Sequence, residues 1–291
     1  MTEPPTFVAR LECDEPTARR LATVLDEIFD DDTVCAAFEG DAGGWQIAIH
    51  FRNKPDAAAL RVQVAQVAGD RAAAALTLKP VKAADWVKQS LAGLAPVRAG
   101  RFIVHGAHDR ARVAPNDIGI EIEAALAFGT GHHGTTRGCL LALNEQAKLR
   151  RPRRVLDIGT GSGVLAMAAA KILRTRIIAS DIDKVAVEAA RGNARLNAVA
   201  PAITFVRATG TRAHAIAAGA PYDLILANIL LGPLMRLAVP LRALAAQHAR
   251  IVLSGLLPSH ANAALAIYHA QGFRLERRIP LEDWVTLILR R

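Results

Sequence analysis

Three glycines follow a short apolar run in Val155-Leu156-Asp157-Ile158-Gly159-Thr160-Gly161-Ser162-Gly163-Val164-Leu165. A buried strand entering such a turn, with a helix after it, brings bare backbone close to a ligand, because glycine adopts conformations that a Cβ forbids. The spacing is G-x-G-x-G, and Val164 stands where the dinucleotide fingerprint places its third glycine. Asp181 lies 22 residues beyond Gly159, in Ala179-Ser180-Asp181-Ile182-Asp183. At the end of the second strand of a doubly wound sheet, a carboxylate accepts both hydroxyls of a ribose. The competing role, helix N-cap, is assigned to Asp183, directly before the Lys184 helix. Asn228 ends a third apolar run, Asp223 to Ala227. Ligands of such folds lie outside the carboxyl ends of the strands, so Asn228 is expected to face one, with helix capping as its structural alternative. A fourth element, Ala127-Phe128-Gly129-Thr130-Gly131-His132-His133-Gly134-Thr135-Thr136, precedes a helix running to about Leu149. The free amides of a helix N-terminus suit a carboxylate, and Thr135 or Thr136 adds a hydroxyl. Phe128 is placed to cover a flat or cationic part of the ligand. His132 and His133 lack a third ligand at suitable spacing, so no metal is expected.

Two patterns of elements position these residues. Phe7 to Cys13 alternates as a strand, Pro16 to Phe29 has helical spacing, and Val34 to Phe38 and Trp45 to Phe51 are strand-like around turn residues Glu39 to Gly44. Ala57 to Ala68 is helical and Ala75 to Val81 strand-like. The order β-α-β-β-α-β is that of a ferredoxin-like α+β sandwich. Ala84 to Ala95 reads as a connecting helix, and Phe102 to Val104 and Ile118 to Ile122 as short strands. From about Arg153, strands at 155–158, 176–180, 203–207, 223–227 and 251–254 alternate with helices at 164–173 and 184–197, and Trp284 to Leu289 fits a last strand. That alternation implies α/β architecture with a doubly wound, mainly parallel sheet.

Composition narrows the class. The 291 residues are 52% hydrophobic and 22% charged, enough to build cores and incompatible with a disordered chain. No apolar run reaches the roughly 18 residues of a membrane span, and Met1-Thr2-Glu3-Pro4-Pro5 does not read as a secretory leader. A soluble cytoplasmic protein is expected. Cys13, Cys35 and Cys139 form no C-x-x-C pair, so reduced packing cysteines are expected. Residues 1–90 hold 14 acidic and 10 basic side chains, whereas residues 91–291 hold 13 and 26, a split that suggests different partners for the two parts.

The turn at Asp157 to Gly163 resembles the first motif of class I methyltransferases that use S-adenosylmethionine. Joined to Ala-Phe-Gly-Thr-Gly-x-His-x-Thr-Thr, Asp-Ile-Asp and Ala-Asn-Ile-Leu-x-Gly-Pro-Leu, it makes the chain similar, over about residues 118–260, to the ribosomal protein L11 methyltransferase family, PrmA. Asp85-Trp86 resembles a family motif near the inter-domain linker. The resemblance implies a ferredoxin-like substrate-recognition domain (1–83), a linker helix (84–100) and a class I methyltransferase domain (101–291). It implies S-adenosyl-L-methionine as cofactor, held by Thr136, Gly159, Asp181 and Asn228, with Gly161 in the same turn and Phe128 beside it. It implies methylation of lysine ε-amines and the N-terminal α-amine of ribosomal protein L11, free or on the assembling ribosome, with Asn228 orienting the amine and no general base. The acidic first part would steer a basic protein, and the basic second part would make nonspecific contact with ribosomal RNA. Glu123-Ala124 and Gly134 depart from residues common in the family and change loop stiffness more than chemistry. The rival readings are a lysine methyltransferase for a different protein, an RNA methyltransferase and a non-catalytic cofactor-binding module. Ile229-Leu230-Leu231 weighs against RNA bases, because enzymes of that kind commonly place a stacking aromatic after the asparagine.

Overall fold

The computed structural model describes residues 6–28, 33–39, 44–51, 54–81, 96–122 and 134–291. Contacts divide the chain into two units, Met1–Ser90 and Leu91–Arg291.

In the first unit, strand β1 (Thr6–Cys13) buries Ala9 and Leu11, exposes Arg10 between them and exposes Glu12 after them. Helix α1 (Glu15–Ile28) starts where Thr17 N donates to Asp14 Oδ1 at 2.8 Å, and buries Ala18, Leu21 and Leu25 on one stripe. Strands β2 (Thr33–Glu39) and β3 (Trp45–Phe51) follow, and β3 buries Ile47, Ile49 and Phe51 on one face and the small Ala48 on the other. Asp56 caps helix α2 (Ala57–Ala68) by accepting from Ala58 N at 2.9 Å. The sheet order β2-β3-β1-β4 is antiparallel throughout, which is the ferredoxin-like arrangement. A short helix, α3 (Asp70–Ala75), displaces part of the strand expected over Ala75–Val81, so β4 runs from Thr77 to Val81. The alanine run favours helix, and the Arg61 guanidinium reinforces its end by donating to the carbonyls of Ala73 and, at 2.7 Å, Leu76. Pro80 is tolerated because β4 is an edge strand.

The connecting helix expected at 84–95 lies outside the described residues, as do Asp85 and Trp86. Its expected continuation to residue 100 is corrected: Val97–Ala99 is a strand, β5, paired with β6 (Phe102–His105), and the pairing buries Ala99 and Phe102. β6 pairs in parallel with β7 (Ile118–Glu121), completing a three-stranded sheet.

The main sheet of the second unit has the order β10-β9-β8-β11-β12-β14-β13. Its strands are β8 (Arg154–Ile158), β9 (Arg176–Asp181), β10 (Ile203–Arg207), β11 (Tyr222–Asn228), β12 (Ala245–Leu256), β13 (Arg274–Leu281) and β14 (Trp284–Arg290). β8 to β12 run parallel, and β14 lies antiparallel to β12 and β13. Alternation sorts each central strand between two cores. Val155, Leu224, Leu226, Val252 and Ile288 pack with helices α4 (Gly134–Leu149), α5 (Val164–Leu173) and α6 (Lys184–Leu196). Leu156, Ile225, Ile251, Leu253 and Leu287 pack with α7 (His214–Gly219), α8 (Leu231–Leu244) and α9 (Ala261–Ala270). The scarce aromatics close the second core. Tyr222 and Tyr268 are buried and spend their hydroxyls on the carbonyls of Ile216 and Leu234, at 2.7 and 3.0 Å.

Candidate functional site

Strand order reverses between β8 and β11, since β9 and β10 lie on one side of β8 and β11 to β14 on the other. A crevice opens at the carboxyl ends of strands at such a point. Register brings those ends level: Ile158 pairs with Ser180 and Ala227, Asp181 with Arg207, and Asn228 with Ser254. Gly159, Asp181 and Asn228 therefore stand along one rim.

The glycine turn is held from beneath. Gly159 N donates to Ser180 O at 2.8 Å, and Asn193 on α6 donates to Ser162 O at 2.9 Å. Gly159 has φ +70°, and a Cβ there would approach Ile229 Cγ2 to 2.2 Å. Glycine thus meets two demands, a left-handed backbone and contact with the β11 end. Gly161 N donates to Asp181 Oδ2 at 2.9 Å, and Asp183 N donates to Asp181 Oδ1 at 3.0 Å. A carboxylate offers about four acceptor positions, so each oxygen keeps one for a hydroxyl. Asp183 caps α6 by accepting from Val185 N at 2.8 Å, as its place before Lys184 implied.

Asn228 is not the cap of α8. That position belongs to Leu230, and the asparagine Nδ2 instead donates to Thr136 Oγ1 over a long 3.4 Å. Thr136 is buried in the first turn of α4. The helix sits low on the sheet because Gly138 lacks a side chain: a Cβ there would come within 2.2 Å of Thr286 Oγ1. Ser254 Oγ donates to Thr135 O at 3.1 Å and lies 2.9 Å from Thr286 Oγ1, fixing the same turn. The structure thus brings together Thr136 with Asn228, and Gly161 with Asp181. Phe128, His132 and His133 lie outside the described residues, and among the described residues no group of acids, histidines and cysteines can hold a metal.

Asp157 stands two residues before the first glycine of the turn. It is fully buried, and its Oδ2 accepts from Thr160 Oγ1 at 2.6 Å and Ala166 N at 3.1 Å. Its Oδ1 has no partner among the described residues. Burial pushes this carboxyl up to about 7. An orphaned acceptor under a glycine turn, a spare acceptor set on Asp181 and a hydroxyl at a helix N-terminus suit a ligand with an amine, a ribose and a carboxylate. S-adenosylmethionine carries all three, and the residues fit it.

The profile of the ribosomal protein L11 methyltransferase (PrmA) family matches residues 23–291. The chain belongs to this family. It is 52% identical over 277 residues to the ribosomal protein L11 methyltransferase of Rhodopseudomonas palustris (strain BisB5), covering 95% of this chain and 94% of that protein. It is 52% identical over 278 residues to that of Bradyrhizobium diazoefficiens, with 95% and 94% covered. A crystal structure of the ribosomal protein L11 methylase from Lactobacillus delbrueckii subsp. bulgaricus aligns with a TM-score of 0.61 at 26% identity, covering 67% of this chain and 98% of that one. Family membership and the seven-stranded, mostly parallel sheet agree on a class I methyltransferase fold.

Proposed function

We infer that this chain transfers methyl groups from S-adenosylmethionine to amines of ribosomal protein L11. The observation that carries the reading is the convergence of Thr136, Gly161, Asp181 and Asn228 on one strand rim in a member of this family. When bound, S-adenosylmethionine supplies a methyl group activated by its sulfonium. Asp181 would hold the ribose, the glycine turn would face the nucleoside side, and Thr136 with the α4 N-terminus would hold the carboxylate end. Asn228 would orient the incoming amine in line with the methyl group that the cofactor supplies. A free lysine has pKa about 10.4, so at neutral pH fewer than about one in a thousand is reactive. The like charge of the sulfonium would favour the neutral amine beside it. Rate comes from alignment and desolvation, and the proton is released to water without an enzymic base.

The acidic first unit recognises the basic protein substrate, and the basic second unit lies against ribosomal RNA. The charge split between residues 1–90 and 91–291 supports both statements. No helix among the described residues is long and apolar enough to cross a membrane, and the cytoplasm, where ribosomal proteins assemble, is the place of action. Incubating the pure protein with labelled S-adenosylmethionine and separated ribosomal proteins tests the reading. Label in L11 is the expected result; label in another protein, or in RNA, overturns it.

A further inference from the structure

At the opposite end of the sheet from the glycine turn, the second unit holds a cavity of about 350 Å³. The loop after α4 brings Arg150, Arg151 and Arg153 to it, and the start of β12 brings His248. The three guanidiniums have no hydrogen bond or ion pair among the described residues. The acid in the wall, Asp223, is already engaged: its Oδ2 accepts from the backbone N–H groups of Arg153 and Arg154 at 2.9 and 3.0 Å. Arg250 is likewise committed, to Glu276 and to His248 O.

Gln146 lines the same cavity and is 1% exposed, yet neither its carboxamide oxygen nor its nitrogen has a partner among the described residues. Burying an unsatisfied amide costs free energy that a leucine of similar volume would avoid. A ligand that bonds both atoms offsets that cost. The chemistry is therefore divided: unpaired cationic forks that match a phosphate, and a buried donor–acceptor pair that matches the edge of a nucleobase. The volume lies at the lower end of small-ligand sites.

We propose that this cavity binds a nucleotide unit, its phosphate on Arg150, Arg151 and Arg153 and its base edge on Gln146. The unit is either a free mononucleotide or one residue of an RNA strand. The site is separate from the cofactor rim. β8 runs from Arg154 beside the cavity to Ile158 beside the glycine turn, a span of about 13 Å at roughly 3.3 Å per residue. The proposal does not depend on the methyl-transfer reading, and cofactor binding measured in parallel keeps the two apart.

The test is calorimetric titration of the full chain, with the cofactor site saturated by S-adenosylhomocysteine. Adenosine 5′-monophosphate, ribose 5-phosphate, inorganic phosphate and a hexaadenylate RNA are the probes. The expected result is one-to-one binding of the mononucleotide, tighter than ribose 5-phosphate. Arg151→Ala with Arg153→Ala should weaken every phosphate-bearing probe by about tenfold or more. Gln146→Leu should weaken only the base-bearing probes, by about tenfold, while inorganic phosphate and S-adenosylhomocysteine bind as before. Tighter binding of the hexaadenylate than of the mononucleotide supports the RNA source, and equal binding supports the free nucleotide. Absence of binding, binding only when S-adenosylhomocysteine is omitted, or insensitivity to the arginine substitutions overturns the site. Equal affinity for ribose 5-phosphate and the mononucleotide overturns the base contact. Because the arginines are exposed, their variants keep the test decisive even if the buried Gln146 variant does not fold.

Discussion

Burial raises the Asp157 carboxyl to about 7, the nearby Asp181 charge adds to the rise, and hydrogen bonds from Thr160 and Ala166 oppose it. Between about pH 4 and about 7 the unfolded chain ionises this group while the fold keeps it protonated. The unfolded state then binds fewer protons, so stability falls as pH rises through that window and levels off above it. Asp157→Asn removes this contribution. Its melting temperature should gain on the wild type from pH 5 to pH 7, with the gap constant from pH 7 to 8; parallel curves would remove Asp157 from the account. Asp181 gives a prediction about binding. A hydrogen bond to a charged group contributes about 1.5–3 kcal/mol, and loss of two should weaken S-adenosylmethionine about a hundredfold or more. Asp181→Ala should show this loss by calorimetry while the fold persists, because the residue ends a strand at the rim. Asn228→Ala should lower kcat by about tenfold or more and change cofactor affinity much less, since orientation of the amine matters in the transition state. Near-normal turnover would return Asn228 to a structural role.

Helix α4 shows how an element tunes these residues from a distance. Its first turn carries Thr136, and its height over the sheet is set at Gly138 against Thr286. Gly138→Val would collide with β14 and lift the turn. Cofactor affinity should fall by about tenfold or more, together with a loss of about 1–3 kcal/mol in stability from overpacking. A variant that melts earlier but binds normally would show that the turn tolerates the lift. Elements of this kind divide sharply in legibility. The strand–turn–helix at 155–173 and the strand at 176–181 were readable because apolar runs end in glycines or an aspartate cap. The rim itself was readable because parallel strands end together. What escaped had weaker local marks. α8 carries Pro240 within it, α9 has no side-chain cap, and β13 places Glu276, Arg277 and Arg278 in succession, which breaks the alternation of a half-buried strand. These elements take their structure from tertiary packing, as the burial of Leu237, Leu241 and Tyr268 indicates. The role of Ser254 and Thr286 beneath α4 escaped for a different reason. They are 32 residues apart and meet only when β12 and β14 pair.

At the scale of the molecule, the cores argue for a division of labour. Ala9, Leu21, Ile49, Leu60 and Val64 form one core wholly inside the first unit. The two cores that sandwich the seven-stranded sheet lie wholly inside the second. Every described residue assigned to the cofactor also lies in the second unit, from Thr136 to Asn228. On the proposed reading, recognition falls to the first unit, whose excess of acids suits a basic ribosomal protein. The run Asp30-Asp31-Asp32, which follows α1, lies outside the described residues, yet its charge bears on encounter whatever its conformation. A protein of residues 91–291 should bind S-adenosylmethionine with the affinity of the full chain and lose methylation of L11. Reversing the three aspartates to lysines in the full chain should slow association with L11 severalfold. The effect should shrink as salt rises, since the Debye length is about 10 Å at 0.1 M. If the shortened protein methylates L11 as fast as the whole chain, recognition lies in the second unit; if both its methylation and its cofactor binding vanish, the two units fold as one.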